Sequence, residues 1–310
     1  MNTQSNAVPE AFDSQRAAPA VTSATRPLYW SVRRELWENR SIYIGPLAVA
    51  AVFLFGFLIS MIHKRVKVHA LLALAPEQQH QALQQPYLFA TGLIMGVAMI
   101  VQIFYCAEAL HSERRDRSIL FWKSLPVSDL TTVLSKASIP FVILPLLAFV
   151  IVVVTQFFML LLSSTILLGS GLSVATLWTQ LSLSQTLLML LYHLVTVHVL
   201  WYAPIYGWLM LVSGWARRAA FLWAVLPPLA ICALEKAVFN TSHFLAMLEY
   251  RVNGPQDFVF PAHGGKVGMD WMKHLDLGGF LSTPGLWTGL VVAAAFLVVA
   301  VRLRRYRGPI

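Results

Sequence analysis

Charge is what this chain lacks most. Only 12% of its residues are Asp, Glu, Lys or Arg, whereas 57% are hydrophobic and the mean hydropathy is +0.65. Globular proteins carry about 25% charged residues, so a soluble fold of this composition could not cover its surface. The chain reads as an integral membrane protein. Cysteine is nearly absent too: Cys106 and Cys232 both fall inside apolar runs, which excludes a disulfide framework. Residues 1–25 are rich in Ala, Ser, Thr and Pro and hold no apolar run. They read as a flexible cytoplasmic tail rather than a cleavable signal peptide.

Catalytic sets are missing as well. A phosphate-cradling loop needs Gly-x-x-x-x-Gly-Lys-Ser/Thr, but Gly264–Lys266 is followed by Val267 and has no upstream glycine at the right spacing. No His-Glu-x-x-His occurs and no Asp falls in a predicted span, which argues against intramembrane proteolysis. His193 and His198 share the predicted fourth span, but five residues of α-helix set them about 140° apart, against a common metal or haem site. The chain is expected to be non-catalytic, with no metal and no cofactor of its own. A net charge of +9 in such a chain speaks to loop placement rather than to nucleic acid.

What is present is apolar sequence in long runs. A helical span needs about 20 mainly apolar residues, and six stretches qualify or nearly do: 44–62, 87–110, 137–162, 187–212, 219–234 and 286–301. They predict an all-α fold in which residues 26–310 form a single transmembrane domain embedded in the bilayer. Pro140 and Pro145 predict kinks in the third span, and Pro204, Pro227 and Pro228 predict broken or flexible helices later. With the N-terminus in the cytoplasm, sixteen Lys and Arg fall on inside segments and seven on outside ones. The excess predicts both termini inside, with Lys64, Arg65 and Lys67 as the one dissenting cluster.

Ahead of the first span, "LYWSVRRELWENRSIYIGP" reads as an amphipathic helix lying in the plane of the cytoplasmic leaflet. Leu28, Tyr29, Val32 and Leu36 share a flank bordered by Trp30 and Trp37, with Ser31, Arg34 and Glu38 opposite. Indoles and long basic side chains are what a membrane interface accepts. The last outside segment, 235–284, predicts two short helices, one from Asn240–Ser242 and one from Asp270 ending at Gly278-Gly279. The fifth span, stopping at Glu235, leaves room for a re-entrant piece. Glu108 and Glu235 are ionisable groups at span ends, hence candidates for lining a transport route.

Between the second and third spans lies a charged island, "SERRDRSILFWKSLPVSDLTTVLSK", residues 112–136. Ile119–Trp122 form an apolar cluster, Pro126 breaks the segment, and Ser128-Asp129 predicts a helix N-terminus leading into the third span. Apolar anchors ringed by charge suit a docking site for a soluble partner. The alternative is a non-transport membrane protein whose island docks a regulatory or structural partner.

The island resembles the first cytoplasmic loop of permease subunits in the type-2 family of ATP-binding-cassette (ABC) exporters. The matching residues are Glu113, the run Arg114, Arg115, Asp116 and Arg117, the stretch Ile119–Trp122, "SLPVS" at Ser124–Ser128, and Lys136. The resemblance extends to the interfacial helix, six spans and a long last outer connection. It implies a multi-pass permease of the bacterial inner membrane, exporting an amphipathic substrate as a homodimer or heterodimer. A nucleotide-binding ATPase subunit, where ATP would bind, is implied as partner. It would dock on a coupling helix through Glu113–Arg117, Ile119, Phe121, Trp122, Leu125 and Pro126. Trp215, Arg217 and Arg218 in "SGWARRAAF" would make a second, smaller contact.

Overall fold

The structure is a computed structural model that describes residues 25–64, 76–124, 127–169, 183–254 and 277–307. These residues are helical, with no strand among them. In chain order the helices are α1 (Thr25–Glu38), α2 (Ser41–Lys64), α3 (Pro76–Glu108), α4 (His111–Arg115), α5 (Ser118–Ser124) and α6 (Asp129–Ser138). A π-helical stretch, Ile139–Ile143, leads into α7 (Leu144–Gly169). After α8 (Leu183–His193) a second π-helical stretch, Leu194–Trp201, leads into α9 (Ala203–Trp215). The chain continues through α10 (Ala220–Phe239), α11 (His243–Asn253), α12 (Leu277–Ser282) and α13 (Pro284–Tyr306).

Among the described residues, six helical segments are long and apolar enough to cross a membrane: Ser41–Met61, Gln81–Arg115, Asp129–Thr165, Leu183–Trp201, Ala220–Phe239 and Pro284–Tyr306. They support a multi-pass membrane protein. Most outrun the apolar windows that flag them, because a helix continues through polar residues wherever its backbone bonds are cheaper to keep than to break. Glu235 therefore sits inside α10 rather than ending it. The glycine pair Gly278-Gly279 lies within α12 instead of terminating a helix. The stretch from Asp270 to Asp276 lies outside the described residues. The helix expected from Asn240–Ser242 is present as α11, with Ser242 at its N-cap.

The prolines have a specific consequence. In the first π-helical stretch the Leu144 N–H bonds back to the Ile139 carbonyl, so the next bond of that register would run from residue 145 to Pro140. Residue 145 is a proline and has no N–H to give. The orphaned Pro140 carbonyl is taken instead by Gln102 Nε2 of α3 at 2.6 Å, while Gln102 Oε1 lies 2.6 Å from His198 Nε2 in the second π-helical stretch. One fully buried amide thus ties both widened turns together. Pro228 likewise leaves the Ala224 carbonyl without its α-helical donor. Trp208 Nε1 of α9 donates to it at 3.0 Å, fastening α10, whose other side chains are mostly exposed.

The main hydrophobic core gathers Tyr105, Cys106 and Leu110 with Val133, Leu144, Tyr206 and Met210. Within it α9 and α13 cross closely because Gly207 has no side chain. A Cβ there would meet the Ala293 carbonyl oxygen at 3.2 Å and its Cα at 3.3 Å. Small residues at such crossings let membrane helices gain dispersion contacts that lipid cannot supply. At the other end of α13, Arg251 of α11 stacks on Trp201 at 4.5 Å and donates to the Gly285 carbonyl at 3.0 Å.

Two substitutions test this account in detergent-solubilised protein. Gly207→Val should lower unfolding free energy by about 1–3 kcal/mol through overpacking, read as a fall in thermal midpoint. Gln102→Leu should cost about 1–3 kcal/mol, since it strands a buried carbonyl, with helix content retained below the transition.

Candidate functional site

The charged island folds as three short helices. Its first, α4, begins where the Leu110 and His111 amides both donate to Ser213 Oγ, each at 2.9 Å. The chain then turns at Arg117, whose φ of 58° is the left-handed conformation that side chains adopt at a cost. A new helix, α5, follows at once. At Ser128 the next helix is capped as its sequence predicts: the hydroxyl accepts from the Thr131 amide at 3.0 Å.

The island's charges divide into two sets. Glu113 and Arg114 are buried and turned inward. The Glu113 carboxylate receives Arg34 Nη2 at 2.9 Å and Lys136 Nζ at 3.2 Å on one oxygen, and Arg304 Nη1 on the other. Glu35, with no exposed surface, holds Lys136 at 2.7 Å and Arg34 at 2.9 Å, and accepts the Tyr105 hydroxyl at 3.0 Å. Arg304 also pairs with Asp129 at 3.3 Å. The outer lid of the cluster is aromatic, for the Arg34 guanidinium lies 3.7 Å from the Trp122 ring centre. Three acids, Glu35, Glu113 and Asp129, thus face three bases, Arg34, Lys136 and Arg304.

This cluster joins α4 and α6 of the island to α1 and α13, near the two ends of the chain. Charges taken out of water are costly, and close pairing with filled hydrogen bonds is the condition under which they are tolerated. Arg114 extends the set sideways. Its guanidinium donates to the Gly214 carbonyl at 2.7 Å and to the Ala216 carbonyl at 3.3 Å. Arg307 donates to the Trp215 carbonyl at 2.8 Å, and Lys123 Nζ reaches the Arg305 and Arg307 carbonyls at 3.3 and 3.4 Å. The island, the α9–α10 turn and the end of α13 therefore form one unit.

The second set faces outward. Arg115, Asp116, Arg117, Leu120 and Phe121 are exposed, Trp122 is half-buried, and Ile119 is buried beneath them. Trp215, Arg217 and Arg218 are exposed on the adjoining turn, Trp215 edge-on to Trp223 at 5.1 Å. Leu125 and Pro126 lie outside the described residues. The expectation that Glu113 and Arg114 present their charges at the surface is revised. Each found opposite charge or free carbonyls inside, where a single carboxylate or guanidinium satisfies several partners at once.

The two acids expected at span ends each have a polar partner. Glu108 is exposed and lies 3.7 Å from Arg115. Glu235 accepts from the His243 and Phe244 amides at 2.7 and 2.8 Å and from Thr241 Oγ1 at 2.9 Å; it caps α11. Among the described residues no group of three His, Cys, Asp or Glu could hold a metal ion. The sequence reading missed Glu35 as a buried acid and placed Arg34 on the solvent side. The signal was there: Glu35 lies on the same side of α1 as Val32 and Leu36, which pack against the core.

No protein-family model, curated protein or solved structure matches the chain.

Lys136→Met removes one of the two cations, the other being Arg34, that touch both Glu35 and Glu113. Breaking a buried pair from one side costs about 3–5 kcal/mol, so the thermal midpoint should fall sharply. The exposed substitution Arg218→Gln should leave it within about 0.5 kcal/mol of wild type.

Proposed function

We propose that this chain is the membrane permease subunit of an ATP-driven exporter, and that a separate nucleotide-binding ATPase subunit docks on the exposed face of the island. In this reading α5 is the coupling helix and α1 the interfacial helix. The observation that carries it is the division of the island's charges. An outward surface of Arg115, Asp116, Arg117, Phe121 and Trp122 rests on an inward cluster bonded to α1, α6 and α13. A partner pressing on that surface cannot move it alone, since Glu113 and Arg114 carry the displacement to three other helices and to the α9–α10 turn. Trp215, Arg217 and Arg218 stand beside it as the second contact.

The permease would work with a second permease subunit in a bacterial inner membrane, both termini in the cytoplasm. The end of the fold that holds the cluster carries Arg33, Arg34, Arg40, Arg114, Arg115, Arg117, Arg217, Arg218 and the arginines of α13, a concentration that favours the cytoplasmic side. The apolar interior of the spans suits an amphipathic substrate.

The test is purification of the tagged chain from its source cells in mild detergent. A nucleotide-binding subunit with ATPase activity should come with it. Combining Arg115→Glu with Phe121→Asp should lower its recovery at least tenfold, roughly the loss from deleting one interface anchor, with the thermal midpoint unchanged. A chain that comes without such a subunit, or capture indifferent to these substitutions, refutes the reading.

A further inference from the structure

The outward side of α1, the interfacial helix of the exporter reading, carries a feature to which that reading assigns no ligand. Tyr29, Trp30 and Trp37 are 60%, 57% and 64% exposed, although aromatic rings are costly to leave in water. Between the two indoles sits Arg33, its guanidinium 5.2 Å from the Trp30 ring centre and 4.7 Å from that of Trp37. Trp30, Arg33 and Trp37 follow one another at three and four residues, so with Tyr29 they occupy roughly 100° of the helix circumference. Exposed Arg40 follows at the corner before α2. Among the described residues no ion pair joins Arg33 or Arg40 to an acid, and the one exposed carboxylate of α1, Glu38, is held by Arg34 at 3.4 Å.

α1 itself is fixed in place by Glu35 and by Val32 and Leu36 against the core. The aromatic and basic stripe is therefore presented at a constant height, directly before the span that starts at Ser41. Lipid headgroups flank the start of a membrane span. We propose that Trp30, Arg33 and Trp37 form a binding site for the phosphate of an anionic phospholipid in the leaflet at this end of the protein. Arg33 supplies a forked, permanently charged donor, and the two indoles supply N–H donors to the phosphate and flat faces to the glycerol backbone and upper acyl chains. Stacking between the rings holds the guanidinium in place before the lipid arrives. Zwitterionic lipids offer the same phosphate with a compensating cation, so the site should prefer anionic headgroups. The inference does not depend on what the protein transports.

Native mass spectrometry of the full chain in detergent, titrated with phosphatidylglycerol or phosphatidylcholine, tests it. Phosphatidylglycerol should bind more tightly. Arg33→Gln should weaken its first adduct about fivefold, the factor expected for one basic residue beside an anionic leaflet. Arg302→Gln, the same charge loss at an exposed position of α13, should change it less than about twofold. The pair Trp30→Phe with Trp37→Phe, which keeps the rings and removes the N–H donors, should also weaken it. Circular dichroism checks that each variant keeps wild-type helicity. Equal losses for Arg33→Gln and Arg302→Gln would reduce the effect to net charge and overturn the site. So would an absence of preference for phosphatidylglycerol in the wild type. Complete competition by millimolar inorganic phosphate would show a free-anion site instead of a lipid one.

Discussion

The carboxylate of Glu113 is the point on which the architecture of one end of the protein turns. Its two oxygens meet cations from three helices, and each of those cations has a second commitment: Arg34 and Lys136 to Glu35, Arg304 to Asp129. Such a lattice is stable as a whole and poor in parts. In low dielectric each unmatched charge is expensive, so the members stand or fall together. The energetic logic favours rigid-body motion of the four attached segments over independent sliding.

Elsewhere the structure solves a different problem, that of backbone carbonyls deprived of donors by proline. Within a membrane such groups have no water to turn to. The replacements come from side chains on neighbouring helices, Gln102 for Pro140 and Trp208 for Ala224. Pro145 and Pro228 each thereby create a cross-helix bond that an ordinary helix would not make. The widened turns near Gln102 are held open by this exchange rather than by flexibility of the chain, and π-helical insertions of this kind recur at working parts of proteins.

Much of this was legible beforehand. Low charge and long apolar runs identify the spans, and Ser128-Asp129 marks a helix start by local chemistry alone. Helix ends were less legible, because a single Glu235 or a Gly278-Gly279 pair weakens a helix without breaking it when tertiary bonds support it. The ion cluster was visible only in pieces. Lys136 and Arg304 are basic residues at the ends of apolar runs, but nothing local links either to Glu113. The spacing of Pro140 and Pro145 by five residues held a clue to the π-helical turn, since only that register lets the second proline deprive the first of a donor.

The pairing of Glu113 with Arg304 also sets an order of events at the ribosome. The two residues are 191 positions apart, so at ordinary elongation rates Arg304 is made roughly 10–40 s after Glu113. Arg34 and Lys136 exist long before it and can shelter one side of the carboxylate. The other oxygen must stay hydrated, or borrow a temporary companion, until the last span is in place. Closure of this end is therefore a late act of biosynthesis, performed after the other spans have been made, and a nascent chain stalled within α13 would leave the second Glu113 oxygen without its cation.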